Sequence, residues 1–163
     1  MEEKYALISI VMDKNNQEIA EIASQLQSKS QNLNDLVHNI HEFLNNYLKN
    51  EELVYIPKSI LESRFTPVSV AYKVRMRSCG SVTNIAVEML RHLGYKVKKV
   101  HGNTQTLNNH AWFKVYDTNS SNWIHYDLSQ NNESDTAKHN ELASCNTWEE
   151  IESIIVQAHL ELQ

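Results

Sequence analysis

Three side chains have the types and the order that nucleophilic acyl chemistry requires: Cys79, His110 and Asp127. In such chemistry a thiolate attacks a carbonyl carbon, an imidazole carries the proton, and a carboxylate holds the imidazole in one tautomer. Cys79 lies in RSCGSVTNIAVEMLRHLG, Arg77 to Gly94, with Gly80 beside it. The chain has only three glycines and two cysteines in 163 residues, and two of those glycines bracket this segment.

The segment reads as a helix. Val82, Ile85, Ala86, Met89, Leu90 and Leu93 recur at three- and four-residue steps, which predicts one buried face. Ser78 is the expected N-cap, placing Cys79 in the first turn, and Gly94 suits the left-handed position that ends a helix. Amide groups at a helix start, with the positive end of the helix dipole, favour a thiolate there. Gly80 leaves room for a substrate carbonyl to approach the backbone, where the Cys79 amide can donate to an oxyanion.

His110 and Asp127 fall on an expected β-hairpin. His110 to Tyr116 and Trp123 to Leu128 alternate in period two and are joined by DTNSSN, a run of turn formers. His110, Trp112 and Lys114 share one face of the first strand; Trp123, His125 and Asp127 share one face of the second. If 118 and 121 flank the turn, paired residue numbers have an odd sum, 112 opposes 127, and His110 lies diagonal to Asp127. An even sum would put them on opposite faces. The apolar alternation of Ala111, Phe113 and Val115 against Ile124, Tyr126 and Leu128 favours the odd register. The 78–93 helix is expected to start beside the face carrying His110, with the Cys79 sulfur about 3–4 Å from an imidazole nitrogen.

Other elements must position these residues. Tyr5 to Met12 reads as either a short strand or a first helical turn. Ile19, Ala20, Ile22, Ala23 and Leu26 predict a helix over 16–27, and Leu33, Leu36, Val37, Ile40, Phe43, Leu44, Tyr47 and Leu48 predict a second one capped by Asn32. Pro57 and Pro67 punctuate a connector that leads to a short helix near Ser69 to Met76. Tyr95 to His101 is an expected strand ending at Gly102, and the polar loop Asn103 to Asn109 is expected to wall the site. Thr147 to Glu150 form a capping box ahead of a last helix bearing Ile151, Ile154, Ile155 and Ala158. Cys145 is expected in the loop before it.

Composition bounds the class. The length suits one domain over 1–163, and 41% hydrophobic with 21% charged residues is an ordinary globular balance. A formal charge of −5 and the lack of a basic stripe argue against a nucleic-acid partner. The longest apolar run, Tyr5 to Met12, is too short for a bilayer, and Glu2 and Glu3 stand where a signal peptide carries basic residues. A cytoplasmic protein without a membrane segment is the expectation. Two cysteines make no disulfide framework, and neither His38 with His41 nor His101, His110 and His125 have zinc-ligand spacing. No metal or other cofactor is expected.

Taken together, SCGSVTNIAVEMLRHLGYKVKKVHG, NHAWFKVY and NWIHYDLSQ resemble the transglutaminase-like superfamily of papain-like cysteine enzymes. The resemblance spans roughly Gln17 to Gln130. It implies an α+β fold: N-terminal helices, a core helix with the cysteine at its start, an antiparallel sheet and a C-terminal helix. It also implies a triad of Cys79, His110 and Asp127 acting through a thioester acyl-enzyme on a peptide or protein, with hydrolysis or transfer to an amine as outcomes. Relatives carry an aromatic oxyanion donor upstream of the cysteine; all three tryptophans here lie downstream, so Tyr72 is the candidate substitute, with Gly80 and Trp112 as further substrate contacts. The proline that commonly follows the aspartate is replaced by Leu128 and Ser129. WIHYD is similar to peptide N-glycanases, whose zinc-binding cysteines are missing here, and small leader-cleaving proteases are another similar group. Two readings of other kinds stand beside the enzyme: an inactive peptide-binding module, and a maturation protease that works only with a partner chain.

Overall fold

The computed structural model describes residues 16–49, 68–73, 75, 77–103, 110–129 and 140–145. The expected elements at Tyr5 to Met12, the 104–109 loop and the last helix after Thr147 lie outside them. Four helices and four strands are described: α1 (Gln17–Ser28), α2 (Leu33–Tyr47), α3 (Val68–Lys73), α4 (Cys79–His92), β1 (Val97–Asn103), β2 (His110–Asp117), β3 (Asn122–Tyr126) and β4 (Asn140–Cys145). The fold is α+β, as its periodicities predict.

Local chemistry sets the helix ends. Asn16 and Asn32 cap α1 and α2 by accepting from the amides of Ile19 and Asp35 at 3.1 and 2.8 Å. Each such cap is worth about 1 kcal/mol. Gly94 takes φ +88 just past α4, the left-handed conformation an L side chain resists.

Helix α4 is the centre of the molecule. Sequence periodicity predicts one buried face, yet Ser81 to Leu90 is buried almost throughout, apart from the half-buried Asn84. The reason is that α4 is a middle layer: α1, α2 and α3 pack on one side, and β1 and β2 on the other. Val82, Ile85, Ala86, Met89 and Leu90 join Ile19, Leu36, Ile40 and Leu44 from the helices and Phe113, Val115 and Tyr126 from the sheet in one core. Burying each large apolar side chain contributes about 1.5–3 kcal/mol. Tyr126 also ties the sheet to α2 by donating its hydroxyl to Asn34.

The strands form one antiparallel sheet of order β3-β2-β1-β4. β2 and β3 pair as Phe113 with Tyr126, Lys114 with His125 and Val115 with Ile124, the odd register that the apolar alternation favours. Asp117 pins the turn, accepting from the Ser120 hydroxyl at 2.7 Å and the Asn119 amide at 3.2 Å. Cys145 ends β4 rather than lying in a loop. Among the described strands β4 lies at the edge, paired to β1 with a register shift between His101 and Gly102; NELASC has none of the β-branched alternation that marks a strand in sequence. Among the described residues no helix is long and apolar enough to cross a membrane.

Candidate active site

The first turn of α4 is held by a reciprocal cap. The Ser81 amide donates to Ser78 Oγ at 3.1 Å, and the Ser78 amide donates to Ser81 Oγ at 2.9 Å. Arg77 anchors the approach to this turn through a 2.7 Å bond from its guanidinium to Asn45 Oδ1 on α2. Cap and helix therefore take up the amides of Ser81 and Val82, the latter donating to the Ser78 carbonyl at 3.0 Å. The amides of Cys79 and Gly80 precede the first intrahelical bond, where orphan donors accumulate. Cys79 is half-buried with a free thiol. Gly80 is in no steric need of being glycine: among the described residues, an added Cβ would meet only Ser78 Oγ, at an ordinary 3.9 Å.

On the sheet, His110 opens β2 and Asp127 follows β3 directly. The odd register brings them together, with His110 Nε2 2.7 Å from Asp127 Oδ2, at 3% and 0% side-chain exposure. This burial strengthens the bond by removing competing water. The carboxylate thus occupies the Nε2 side of the ring. Ser129 completes the cluster. Its hydroxyl donates to Asp127 Oδ1 at 2.6 Å and lies 3.1 Å from His110 Nε2, while its amide donates to the same Oδ1 at 3.1 Å. The sequence reading treats Ser129 only as a departure from the common proline. The signal was available: an aspartate two residues before a serine is a standard side-chain-to-backbone turn.

The placement of Cys79 follows from how α4 is docked. Thr83 Oγ1 donates to the Ala111 carbonyl at 3.2 Å, beside His110. At the other end Arg91 reaches the Val97 carbonyl at 3.2 Å, and Val97 pairs with Val115 late in β2. The helix thus runs in the same direction as β2, with its start at the end of the sheet where His110, Asp127 and Ser129 gather. Cys79 is one turn before Thr83, about 6 Å further along the axis. One expectation needs correction. α4 covers the face of Phe113 and Val115, whereas alternation puts His110 and Asp127 on the opposite face. The register that unites histidine and aspartate also turns them away from the face the helix covers, so α4 comes to His110 at the end of the strand.

Two expected substrate contacts have other surroundings. Trp112 has no exposure; its ring lies 6.2 Å from that of His110 and its indole N–H donates to His125 Nδ1 at 2.9 Å. With no exposure it packs beside the imidazole. Tyr72 is 2% exposed and stacked on Tyr47, with ring centroids 4.6 Å apart. Burial and the neighbouring Tyr47 raise its pKa far above that of an ordinary phenol, so the hydroxyl stays protonated. Tyr72 thus packs α3 onto α2 through the ring of Tyr47.

A helix that opens on Cys-Gly, followed by strands carrying a buried histidine–aspartate pair, is the arrangement of papain-like cysteine enzymes. The model of the transglutaminase-like superfamily matches residues 20–128, and the chain belongs to that superfamily. Solved structures with a similar fold include one from Cytophaga hutchinsonii named a "putative cysteine protease", 18% identical with a TM-score of 0.61, covering 78% of this chain and 42% of that one. Another, a "putative protease" from Parabacteroides distasonis ATCC 8503, is 15% identical with a TM-score of 0.48, covering 81% and 30%. This chain thus spans less than half the length of either. No curated protein matches it in sequence.

Proposed function

We propose that the protein is a cysteine-dependent acyl-transfer enzyme acting on an amide or ester of a peptide or protein, in the cytoplasm, with Cys79, His110 and Asp127 as its triad. The observation that carries this is the buried 2.7 Å contact between His110 and Asp127 at the end of the sheet where α4 begins. A thiol at a helix start that points toward a buried imidazole–carboxylate pair supplies a nucleophile, a base and a group that orients the base.

The steps follow from the groups present. The Cys79 thiol gives its proton to His110 Nδ1, and the thiolate attacks the substrate carbonyl carbon. As the carbon–sulfur bond forms, the carbonyl electron pair moves to oxygen, and the Cys79 amide donates to that oxyanion. Collapse of the intermediate breaks the bond to the leaving amine or alcohol, which takes the proton from Nδ1. Water or an amine then attacks the thioester and gives its proton to Nδ1, and the sulfur leaves as thiolate. Asp127 stabilises the imidazolium formed in both halves, and Gly80 gives the substrate carbonyl access to the backbone.

The test uses p-nitrophenyl acetate as a general acyl donor. Expected are a burst of p-nitrophenol, an acetyl group mapped to Cys79 by peptide mass spectrometry, and no burst from Cys79→Ala. Adding a primary alkylamine, with Cys79→Ala as the uncatalysed control, distinguishes transfer, read as the N-alkylacetamide, from hydrolysis, read as acetate. A burst that persists in Cys79→Ala would exclude Cys79 as nucleophile.

A further inference from the structure

We infer that Ser129 is a positioning residue that fixes the proton of His110 on Nε2 and so makes Nδ1 the basic nitrogen of the neutral ring; this rests on the acyl-transfer reading above. A serine hydroxyl has one proton to give. Its oxygen stands 2.6 Å from Asp127 Oδ1 and 3.1 Å from His110 Nε2, and the shorter contact, to an acceptor-only carboxylate, takes the proton. The face of the hydroxyl turned toward Nε2 is then a lone pair. Asp127 Oδ2 also faces Nε2, at 2.7 Å. Two acceptors converge on one ring nitrogen, and both require it to carry hydrogen.

Ser129 also aims the carboxylate. Its amide and its hydroxyl both donate to Oδ1, at 3.1 and 2.6 Å, so two bonds from one residue set the rotation that leaves Oδ2 facing the imidazole. Leu128, between the two polar residues, is 2% exposed, which anchors the short segment carrying both. In Ser129→Ala the amide bond can remain, but the second acceptor at Nε2 is gone and the carboxylate can rotate. Ser129 never needs to touch the substrate to act this way.

The experiment reads the tautomer directly. Ring nitrogen shifts of His110 are measured by long-range proton–nitrogen NMR at a pH where the ring is neutral, alongside the p-nitrophenyl acetate burst rate. The wild type is expected to show hydrogen on Nε2 alone. Ser129→Ala is expected to show a mixture of tautomers and a burst rate lower by about tenfold, roughly the effect of losing one charge-assisted hydrogen bond. Ser129→Thr, which keeps the hydroxyl, is expected to restore both the single tautomer and a rate within about threefold of wild type. Hydrogen on Nδ1 in the wild type, an unchanged tautomer and rate in Ser129→Ala, or a threonine variant as impaired as the alanine one would each overturn the inference. The underlying reading fails separately: a burst unaffected by His110→Ala sinks the triad, whereas a dead His110→Ala beside a normal Ser129→Ala sinks only the role of Ser129.

Discussion

Asp127 Oδ2 lies 2.7 Å from His110 Nε2, across two neighbouring strands and out of contact with solvent. The carboxylate can accept from Nε2 and cannot donate to it while ionised, so it selects one tautomer. Asp127→Asn offers an amide that can donate instead, inviting the wrong one. Acetylation of Cys79 in that variant should fall by roughly 10²–10⁴-fold while the far-UV circular dichroism stays unchanged. A loss of less than about threefold would show that the pair is structural.

Gly80→Ala should separate stability from activity. The new Cβ meets Ser78 Oγ at 3.9 Å, an ordinary contact, at a helical position where alanine is the better residue. Urea unfolding should show a gain of up to about 1 kcal/mol. The p-nitrophenyl acetate burst should slow, because the methyl group occupies the approach to the Cys79 amide. Full activity in the stabilised variant would remove Gly80 from the substrate path.

Two periodicities made much of the site legible in sequence. Apolar residues at three- and four-residue steps marked α4, and Ser78 and Gly94 marked its ends. The alternation on either side of DTNSSN favoured, without forcing, the register that joins His110 to Asp127 in the structure. What stayed hidden depends on how the elements pack. A helix buried on both sides shows in periodicity only as its stronger stripe, so the middle-layer position of α4 was not readable. Nor was its approach from the strand end, since alternation says which residues share a face and not which face a helix will cover. Sequence shows that Tyr72 lies upstream of Cys79, but only packing reveals its stack on Tyr47. β4, at the edge of the described sheet, has no β-branched residue to signal a strand, and Ser129 stands in a short polar turn whose bonds to Asp127 appear only in the fold.

Trp112→Phe tests the packing beside the imidazole. The substitution keeps an aromatic ring but deletes the indole N–H that donates to His125 Nδ1 at 2.9 Å. Losing the bond and part of the ring volume should cost about 1–3 kcal/mol, read from the urea midpoint at constant slope. Acetylation of Cys79 should fall less than it does in Asp127→Asn. An undiminished midpoint would mean that the tryptophan brings no net stability to this face.

Acid should expose the role of the hairpin turn. Bonds from the Ser120 hydroxyl and the backbone amides of Asn119 and Ser120 hold the Asp117 carboxyl below its ordinary 3.8. A carboxyl depressed by folding binds fewer protons in the native chain than in the unfolded one. It therefore contributes stability above the unfolded value and loses it as pH falls through the lower, folded one. Asp117→Ala should lower the urea midpoint slightly at neutral pH, and the gap to wild type should close in the acid range below 3.8. A gap that persists there would assign the effect to the turn backbone rather than to the carboxylate.

The central claim, that His110 acts on Cys79, is tested most directly by the rate at which iodoacetamide alkylates Cys79 near pH 6, followed by peptide mass spectrometry in wild type and His110→Ala. A thiol served by an imidazole reacts as thiolate under these conditions, and one without it reacts slowly. The account predicts a fall of about tenfold or more on removing the imidazole, with the Cys145 peptide serving as an internal reference whose rate does not change. Equal alkylation of Cys79 in both proteins would contradict it.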